Sequence, residues 1–408
     1  MAAATGTKTP LTSYQWKLFA FLSVATFFEG YDFFALTQIL PNLRAEMNLS
    51  EAQAGYLVGF INIGTILAYL LVRKADVWGR RRLLTITIAG YTLFTLLTGF
   101  APNVVLFAVA QFFARIFLLA EWGVSMIYAS EEFPADRRGM VLGVIQGFSS
   151  LGSIVCAGVV PALLNTSYGW RSVYFVGVIP LVLLAFARRG LKESVRFAEV
   201  ETIRKPLFAV MRSPYRTRIL QMALIWGCTY ACTQNAITFW KEFAVAERGF
   251  TDGMVGMSIT VAAVGSMPLI FLSGKLLDVV GRRVGAVVIY LALSSSVFLA
   301  YNLEGRWALT ASLVVAIFGV SAVLPVLNAY TTELFPTDLR GDAYAWANNL
   351  LGRLSYVAAP TLVGVVAGST GWGPAVSVTT IFPLFGLVFI LWWLPETSGR
   401  ELEETSAV

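Results

Sequence analysis

Long apolar stretches alternate with short polar segments along the whole chain. A helix needs roughly 20 mostly apolar residues to cross the hydrocarbon core of a bilayer. Twelve such stretches occur, near residues 16–40, 53–73, 83–101, 103–128, 140–163, 171–188, 218–240, 254–277, 284–302, 307–331, 342–367 and 373–395. They are about twice as long as barrel strands, and a lipid-facing backbone must satisfy its own hydrogen bonds. The pattern therefore predicts an all-α membrane protein with 12 transmembrane helices.

Composition and charge placement agree with a bilayer environment. The chain is 57% apolar and 13% charged over 408 residues, with a mean hydropathy of +0.70. The polar segments on one predicted side hold 23 of the 30 Lys and Arg residues, and positive loops stay cytoplasmic. We therefore expect a multi-pass protein of the inner (plasma) membrane with both termini in the cytoplasm. The net charge of +6 is then a feature of membrane topology and indicates no nucleic-acid partner.

The sequence repeats itself at a spacing of 202 residues. V-R-K-A-D-V-W-G-R-R from Val72 matches G-K-L-L-D-V-V-G-R-R from Gly274, and E-E-F-P-A-D-R-R-G from Glu131 matches E-L-F-P-T-D-L-R-G from Glu333. A Gly-Trp pair at Gly169 matches another at Gly371. A parallel repeat of six helices predicts two bundles with a pathway between them. We assign the first bundle to residues 1–188, a cytoplasmic linker to 189–217 and the second bundle to 218–408.

These loop motifs resemble the signature of the major facilitator superfamily, G-x-x-x-D-x-x-G-R-R, with Val72 in place of the first glycine. The resemblance implies two six-helix bundles that rock about a central site. An aspartate and an arginine cluster at a cytoplasmic helix junction can hold a gate shut until the bundles rock, the alternative being ordinary topogenic charge. The E-x-x-P-x-x-x-R-G boxes are expected to brace each bundle on its cytoplasmic side. The candidates are Asp76, Arg80, Arg81, Asp278, Arg282, Arg283, Glu131, Arg138, Glu333 and Arg340.

Few ionisable residues lie deep in the predicted helices, where a charge costs at least about 2.5 kcal/mol. Glu29 and Asp32 share one face of the first helix, and Glu121 lies in the fourth. The chain has no histidine, so a proton carrier near neutral pH would have to be a carboxylate. We interpret Asp32, with Glu29 and Glu121, as the proton-coupling group, the alternative being a permanently paired structural carboxylate.

Two arginines complete the set of charges inside the predicted helices. Arg353 breaks the repeat, because its image at position 151 is a leucine. A guanidinium presents a forked donor that suits a carboxylate, so we interpret Arg353 as an anion-binding residue, with a structural ion pair as the alternative. Arg115 could pair with a first-helix carboxylate or with substrate. Further substrate-binding candidates are Tyr31, Gln234, Asn235, Asn348 and Asn349.

Several strings narrow the expected substrate. F-E-G-Y-D, which ends at Asp32, resembles the motif of aromatic-acid:proton symporters, and A-E-W-G around Glu121 resembles that of metabolite:proton symporters. The context of Arg353 resembles organic-anion transporters. The resemblance implies proton-coupled symport of an aromatic or short-chain carboxylate across the lipid bilayer. The L-P-E-T string at Leu394 is shared with sugar porters, so a sugar:proton symporter, an organic-cation transporter and a non-transporting sensor stay open.

Other motifs of the sequence bear on further classes of protein. A G-x-x-x-x-G-K-[ST] loop is missing from the sequence, which argues against an ATPase. The three cysteines, Cys156, Cys228 and Cys232, all fall within predicted helices, where packing is the expected role. We therefore expect no enzymatic activity, no cofactor and no metal site.

Overall fold

The protein was examined as a computed structural model. It describes residues 10–187, 192–193, 208, 210–336 and 339–397, and within them regular secondary structure is helical. Helices correspond to all twelve predicted stretches and are numbered here as the first to the twelfth. They are Ser13–Met47, Glu51–Val72, Arg80–Gly99, Val104–Glu132, Ala135–Leu164, Arg171–Ala187, Arg216–Thr238, Asp252–Val280, Arg282–Asn302, Arg306–Glu333, 340–370 and 372–393.

Ten of these helices are long and apolar enough to cross a membrane. The sixth helix is described over only 17 residues. The seventh carries Thr, Gln and Asn side chains along its length, which lower its hydropathy. Short helical segments at Ala75–Trp78, Val210–Arg212 and Trp240–Ala246 lie between the long ones. The prediction of an all-α membrane protein is confirmed.

Two of the long helices are interrupted. The eleventh consists of an α-helical turn at Arg340–Tyr344, a π-helix at Ala345–Gly352 and an α-helix at Leu354–Thr370. The twelfth consists of Trp372–Thr379 and Ile381–Trp393. A π-helical segment widens the backbone locally and often accompanies a functional site. Arg353 lies at the junction between the π-helix and the α-helix that follows.

Contacts divide the chain into two compact units. The first comprises residues 1–36, 67–156 and 163–203, and the second comprises residues 37–66, 157–162 and 204–408. The end of the first helix and most of the second helix therefore belong to the second unit. The boundary predicted at residues 189–217 rests on the repeat and stays a prediction, because most of that segment lies outside the described residues.

The first unit is built around its third helix, which packs against the fourth and the sixth. Its core joins Leu84 of the third helix to Leu118 and Tyr128 of the fourth and to Leu18 of the first, all of them buried. Close approaches need small residues: a Cβ atom at Gly30 would lie 1.9 Å from the carbonyl oxygen of Ser149. Glycine thus lets the first helix touch the backbone of the fifth, as small residues do where membrane helices cross.

The second unit uses the same device where the second helix crosses the eleventh. A Cβ atom at Gly55 would lie 2.6 Å from the carbonyl oxygen of Pro360, and one at Gly364 would lie 2.6 Å from the Cα atom of Gly55. The seventh helix packs against the π-helical segment and against the twelfth helix. These contacts set the surroundings of Arg353.

Candidate functional site

Asp32 occupies a buried polar position in the first unit. Only 6% of the residue is exposed, and its Oδ2 accepts a hydrogen bond of 3.0 Å from Thr95 Oγ1 in the third helix. The sixth helix passes close by, since a Cβ atom at Gly177 would lie 3.1 Å from Asp32 Oδ1. Among the described residues, Oδ1 has no hydrogen-bond donor. A buried polar atom without a hydrogen-bond partner is uncommon in folded proteins and calls for an explanation.

The other ionisable residues predicted for the first unit are buried as well. Glu29, Arg115 and Glu121 are 7%, 4% and 3% exposed. The Arg115 guanidinium carbon lies 4.4 Å from the centroid of the Phe33 ring, which is a cation–π geometry. Glu121 Oε1 accepts a 2.7 Å hydrogen bond from Ser125 Oγ within its own helix. In the described part of the first unit, Glu29, Arg115 and Glu121 are therefore buried together with Asp32.

Tyr31, predicted to contact substrate, is 3% exposed. Its hydroxyl donates a 3.2 Å hydrogen bond to the carbonyl oxygen of Val173 in the sixth helix. The ring is thereby fixed inside the first unit next to Asp32, with which it shares the Gly177 contact.

Arg353 is half-buried in the second unit and has spare hydrogen-bonding capacity. Its Nη1 donates a long bond of 3.4 Å to the carbonyl oxygen of Thr65, whereas Nε is buried without an acceptor. In the part of the chain that the structure describes, no carboxylate lies within ion-pair distance of this guanidinium. The structural ion pair considered from the sequence is therefore not seen there, and the fork of donors is available to an anion.

A group of aromatic side chains surrounds Arg353. Its guanidinium carbon lies 5.8 Å from the centroid of the Tyr356 ring, and Tyr356 packs edge-on against Tyr230 at 4.6 Å. Trp226 stands 5.2 Å from Tyr230 and 6.2 Å from Tyr344 between ring centroids. Tyr230 and Tyr344 were missed in the sequence analysis. The signal that could have found them is spacing, since Trp226 and Tyr230 are four residues apart on the seventh helix and so share one face.

Asn348, a predicted substrate-binding residue, connects two of these aromatic side chains. Its Oδ1 accepts a 2.7 Å hydrogen bond from the Tyr230 hydroxyl, and its Nδ2 donates one of 2.7 Å to the Tyr344 hydroxyl. The amide is buried, and with both of its polar atoms bonded it fixes the orientation of the two tyrosines. The structure thus brings Asn348 to the surroundings of Arg353.

Two of the remaining predicted amides, Gln234 and Asn235, form bonds inside their own helix. Gln234 donates to Thr238 Oγ1 at 3.2 Å, and Asn235 donates to the carbonyl oxygen of Ala231 at 2.7 Å. Asn235 is fully buried, and the Tyr301 hydroxyl donates to its carbonyl oxygen. Asn349 is half-buried in the π-helical segment. A substrate role for these three residues stays a prediction.

The charged loop motifs bind each other in the same way in both halves. Arg80 Nη2 lies 2.8 Å from Glu131 Oε1, and Arg282 Nη2 lies 3.1 Å from Glu333 Oε1. Each arginine also donates to a carbonyl oxygen five residues before it. The Arg340 guanidinium donates to the carbonyl oxygen of Phe335. The side chains of the predicted residues Asp76, Asp278 and Arg138 lie outside what the structure describes.

A second carboxylate supports each arginine pair and was missed in the sequence analysis. Glu193 Oε1 accepts from the backbone nitrogens of Arg80 and Arg81, and the Glu396 carboxylate accepts from those of Arg282 and Arg283. Anions at a helix N-terminus satisfy its free N–H groups. The signal was present in the sequence, because L-K-E-S from Leu191 and L-P-E-T from Leu394 form another repeated pair.

A further group of charges lies at the end of the first helix and in the short helix Trp240–Ala246 that follows the seventh, within the second unit. Arg44 lies 2.7 Å from Glu242 Oε2 and 2.5 Å from Glu51 Oε1. Lys241 lies 2.5 Å from Asp252 Oδ1 and donates to the carbonyl oxygen of Gln38. Lys241 and Glu242 are each only 2% exposed. These bonds, called here the outer ion network, join the first helix to the short helix Trp240–Ala246.

Apolar helices that repeat internally and carry buried charges define a multi-pass membrane transporter. The sequence profile of the Major Facilitator Superfamily matches residues 22–243 and again residues 227–407. The chain belongs to this superfamily, and the expected family is confirmed.

Known proteins of similar sequence and structure are also transport proteins. The chain is 28% identical over 384 residues to a cis,cis-muconate transport protein of Acinetobacter baylyi, with 88% of this chain and 90% of that one covered. It is 27% identical to a probable 4-methylmuconolactone transporter of Cupriavidus pinatubonensis, with 92% and 89% covered. In fold it is similar to a D-xylose–proton symporter, with a TM-score of 0.77 at 18% identity, over 95% of this chain and all of that one.

Proposed function

We propose that this transporter carries a small organic anion, an aromatic or short-chain carboxylate, together with protons by alternating access. The observation that carries the proposal is Arg353, a guanidinium within a membrane helix that has unused donors and no ion-pair partner among the described residues. Burying such a charge in a membrane is costly, so charged residues inside membrane helices are usually retained for a function. The aromatic side chains of Tyr230, Tyr344 and Tyr356 would pack against the planar part of the substrate.

The names of the relatives support this class of substrate, because muconate is a carboxylate. The D-xylose–proton symporter is 18% identical to this chain, so the similarity to it supports the fold and not the substrate. A neutral sugar would leave the Arg353 guanidinium without a counter-charge, and a cationic substrate would be repelled by it. The carboxylate is therefore favoured over both alternatives.

Substrate choice can be tested in proteoliposomes with radiolabelled cis,cis-muconate, benzoate, xylose and choline. We expect uptake of at least one of the two carboxylates and of neither xylose nor choline. In Arg353→Ala, half-saturation should rise by at least tenfold, and Arg353→Lys should recover poorly, because an ammonium lacks the fork of the guanidinium. Arg306→Ala, which removes an arginine at the start of the tenth helix, is the matched control. Wild-type affinity in Arg353→Ala would contradict the proposal.

Asp32 is the proposed proton carrier, with Glu29 and Glu121 as supporting carboxylates. Its unsatisfied buried oxygen accommodates a proton, and Thr95 holds the other oxygen in either state. In Asp32→Asn we expect accumulation driven by a pH gradient to be lost while exchange of labelled for unlabelled substrate persists. Glu304→Gln, an exposed carboxylate, serves as control. Undiminished accumulation against the pH gradient in Asp32→Asn would rule out this role, and binding without any flux would indicate a sensor.

We propose an inner-membrane location with both termini in the cytoplasm, because most Lys and Arg residues lie on that predicted side. A fluorescent protein fused to the C-terminus should fluoresce, whereas alkaline phosphatase fused there should be inactive. An inactive fluorescent protein and an active phosphatase would instead place the C-terminus outside the cytoplasm and contradict this topology.

A further inference from the structure

An apolar groove opens on the surface of the second unit between the seventh, eleventh and twelfth helices. Its volume is about 680 Å³. Small residues, among them Gly227 and Ala358, form its floor, and the larger side chains of Leu224, Leu362 and Val378 line it as well. These three are 47%, 63% and 65% exposed, although they lie within membrane helices. The groove therefore faces the hydrocarbon of the bilayer.

The groove is separate from the proposed substrate site. Ser355, Ala358 and Leu362 line it, and their spacing places them on one face of the eleventh helix. Arg353, Tyr230 and Tyr356 do not line it. The groove therefore shares neither the arginine nor these tyrosines with the proposed substrate site.

The lining of the groove on the seventh helix continues into a positive charge. Leu220, Leu224 and Gly227 line the groove, and Arg216 lies one turn before Leu220 on the same face. Arg216 is the first residue of the seventh helix and is exposed, as is Arg212 in the helical turn that precedes it. This end of the helix follows the linker, on the side predicted to be cytoplasmic, where basic residues meet lipid phosphates.

We propose that this groove binds an anionic phospholipid, with one acyl chain lying between the three helices and the phosphate held by Arg216. The apolar wall and the terminal cation match the two parts of such a lipid. A second copy of this chain fits less well. A two-fold contact through the same face would bring the Arg212 and Arg216 pairs of both copies to the same membrane level, where they repel each other.

The test is native mass spectrometry of the purified full-length protein after incubation with dioleoyl phosphatidylglycerol or dioleoyl phosphatidylcholine. We expect wild type to retain one phosphatidylglycerol molecule and to prefer it over phosphatidylcholine. Arg216→Gln should bind phosphatidylglycerol about fivefold more weakly, the effect of one basic residue at an anionic surface. Arg218→Gln is the matched control, because Arg218 is two residues further along and therefore projects from a different face.

A second variant tests the apolar part of the groove. Ala358→Trp fills it and should abolish retention of the lipid, whereas Val288→Trp, at a lipid-exposed position of the ninth helix, should not. Equal phosphatidylglycerol retention in Arg216→Gln and Arg218→Gln would overturn the proposal. A dimer that dissociates in Ala358→Trp without loss of lipid would also overturn it, by making the groove an interface between two copies.

Discussion

The Arg80 guanidinium binds both carboxylate oxygens of Glu131, with Nε 3.2 Å and 3.1 Å from Oε1 and Oε2. The two residues are 51 positions apart, and Arg282 and Glu333 are bonded at the same separation in the second unit. One ion pair thus links the start of one helix to the end of the next in each half. Because the pairs lie inside their own units, they stabilise each bundle from within.

Loss of the Glu131 carboxylate should destabilise the protein. Arg80 is 10% exposed and Glu131 13% at the side chain, so Glu131→Gln removes a bonded negative charge from a mostly buried guanidinium. Hydrogen bonds to charged groups contribute about 1.5 to 3 kcal/mol, and we expect a loss of about 2 kcal/mol, read as a lower midpoint of thermal unfolding in detergent. Glu304→Gln should leave the midpoint unchanged, and the swap Arg80→Glu with Glu131→Arg should recover part of the loss. Equal midpoints for wild type and Glu131→Gln would contradict the bracing role.

The crossing of the second and eleventh helices should not tolerate a larger residue. A Cβ atom at Gly55 would lie within 2.6 Å of a backbone oxygen, a distance that forces the helices apart. In Gly55→Leu we expect transport to fall by at least tenfold at equal expression, measured as initial uptake. Gly368→Leu is the matched control, since a Cβ atom there meets nothing within 4 Å. If both variants transported equally, the close crossing would not matter for the cycle.

Arg44 and Glu242 of the outer ion network should be strongly coupled in their effect on stability. Glu242 is 2% exposed, so Arg44→Ala leaves a carboxylate buried without its bonded guanidinium, which costs about 3 to 5 kcal/mol. Thermal unfolding should show a clear drop for Arg44→Ala and a smaller one for Arg44→Ala combined with Glu242→Ala. Arg306→Ala should behave as wild type. Additive losses in the double variant would show that the two residues act independently.

The Tyr230 hydroxyl should matter for substrate affinity through Asn348. Tyr230→Phe keeps the ring and removes the 2.7 Å bond to Asn348 Oδ1, and a hydrogen bond of this kind contributes about 1 kcal/mol. We therefore expect half-saturation for the carboxylate to rise about fivefold with little change in maximal rate. Tyr301→Phe removes a hydroxyl that donates to backbone oxygens of the seventh helix, and it should leave half-saturation unaltered. A rise of equal size in both variants would point to general loosening of the second unit.

Much of the architecture could be predicted because it depends on local properties. Each predicted stretch coincides with a helix, since apolar length in lipid leaves no other regular backbone structure. The repeat identified matching loop motifs, and it separated the symmetric residue Arg80 from the asymmetric residue Arg353. The broken eleventh helix was not predicted, because the π-helical turn at Ala345–Gly352 has no hydrophobic period of its own.

The sequence by itself determined the helices, the duplicated halves and the few charges that must lie inside the membrane. The tertiary structure decided which side chains bond to each other. It joined Arg80 to Glu131 of a different motif, capped the same helix with Glu193, and left Arg353 among tyrosines without an ion pair in the described residues. Helix formation depends on neighbouring residues and on the solvent around them. Ion pairs between residues that are tens to hundreds of positions apart depend on how the helices pack, and that packing cannot be read from any local pattern in the sequence.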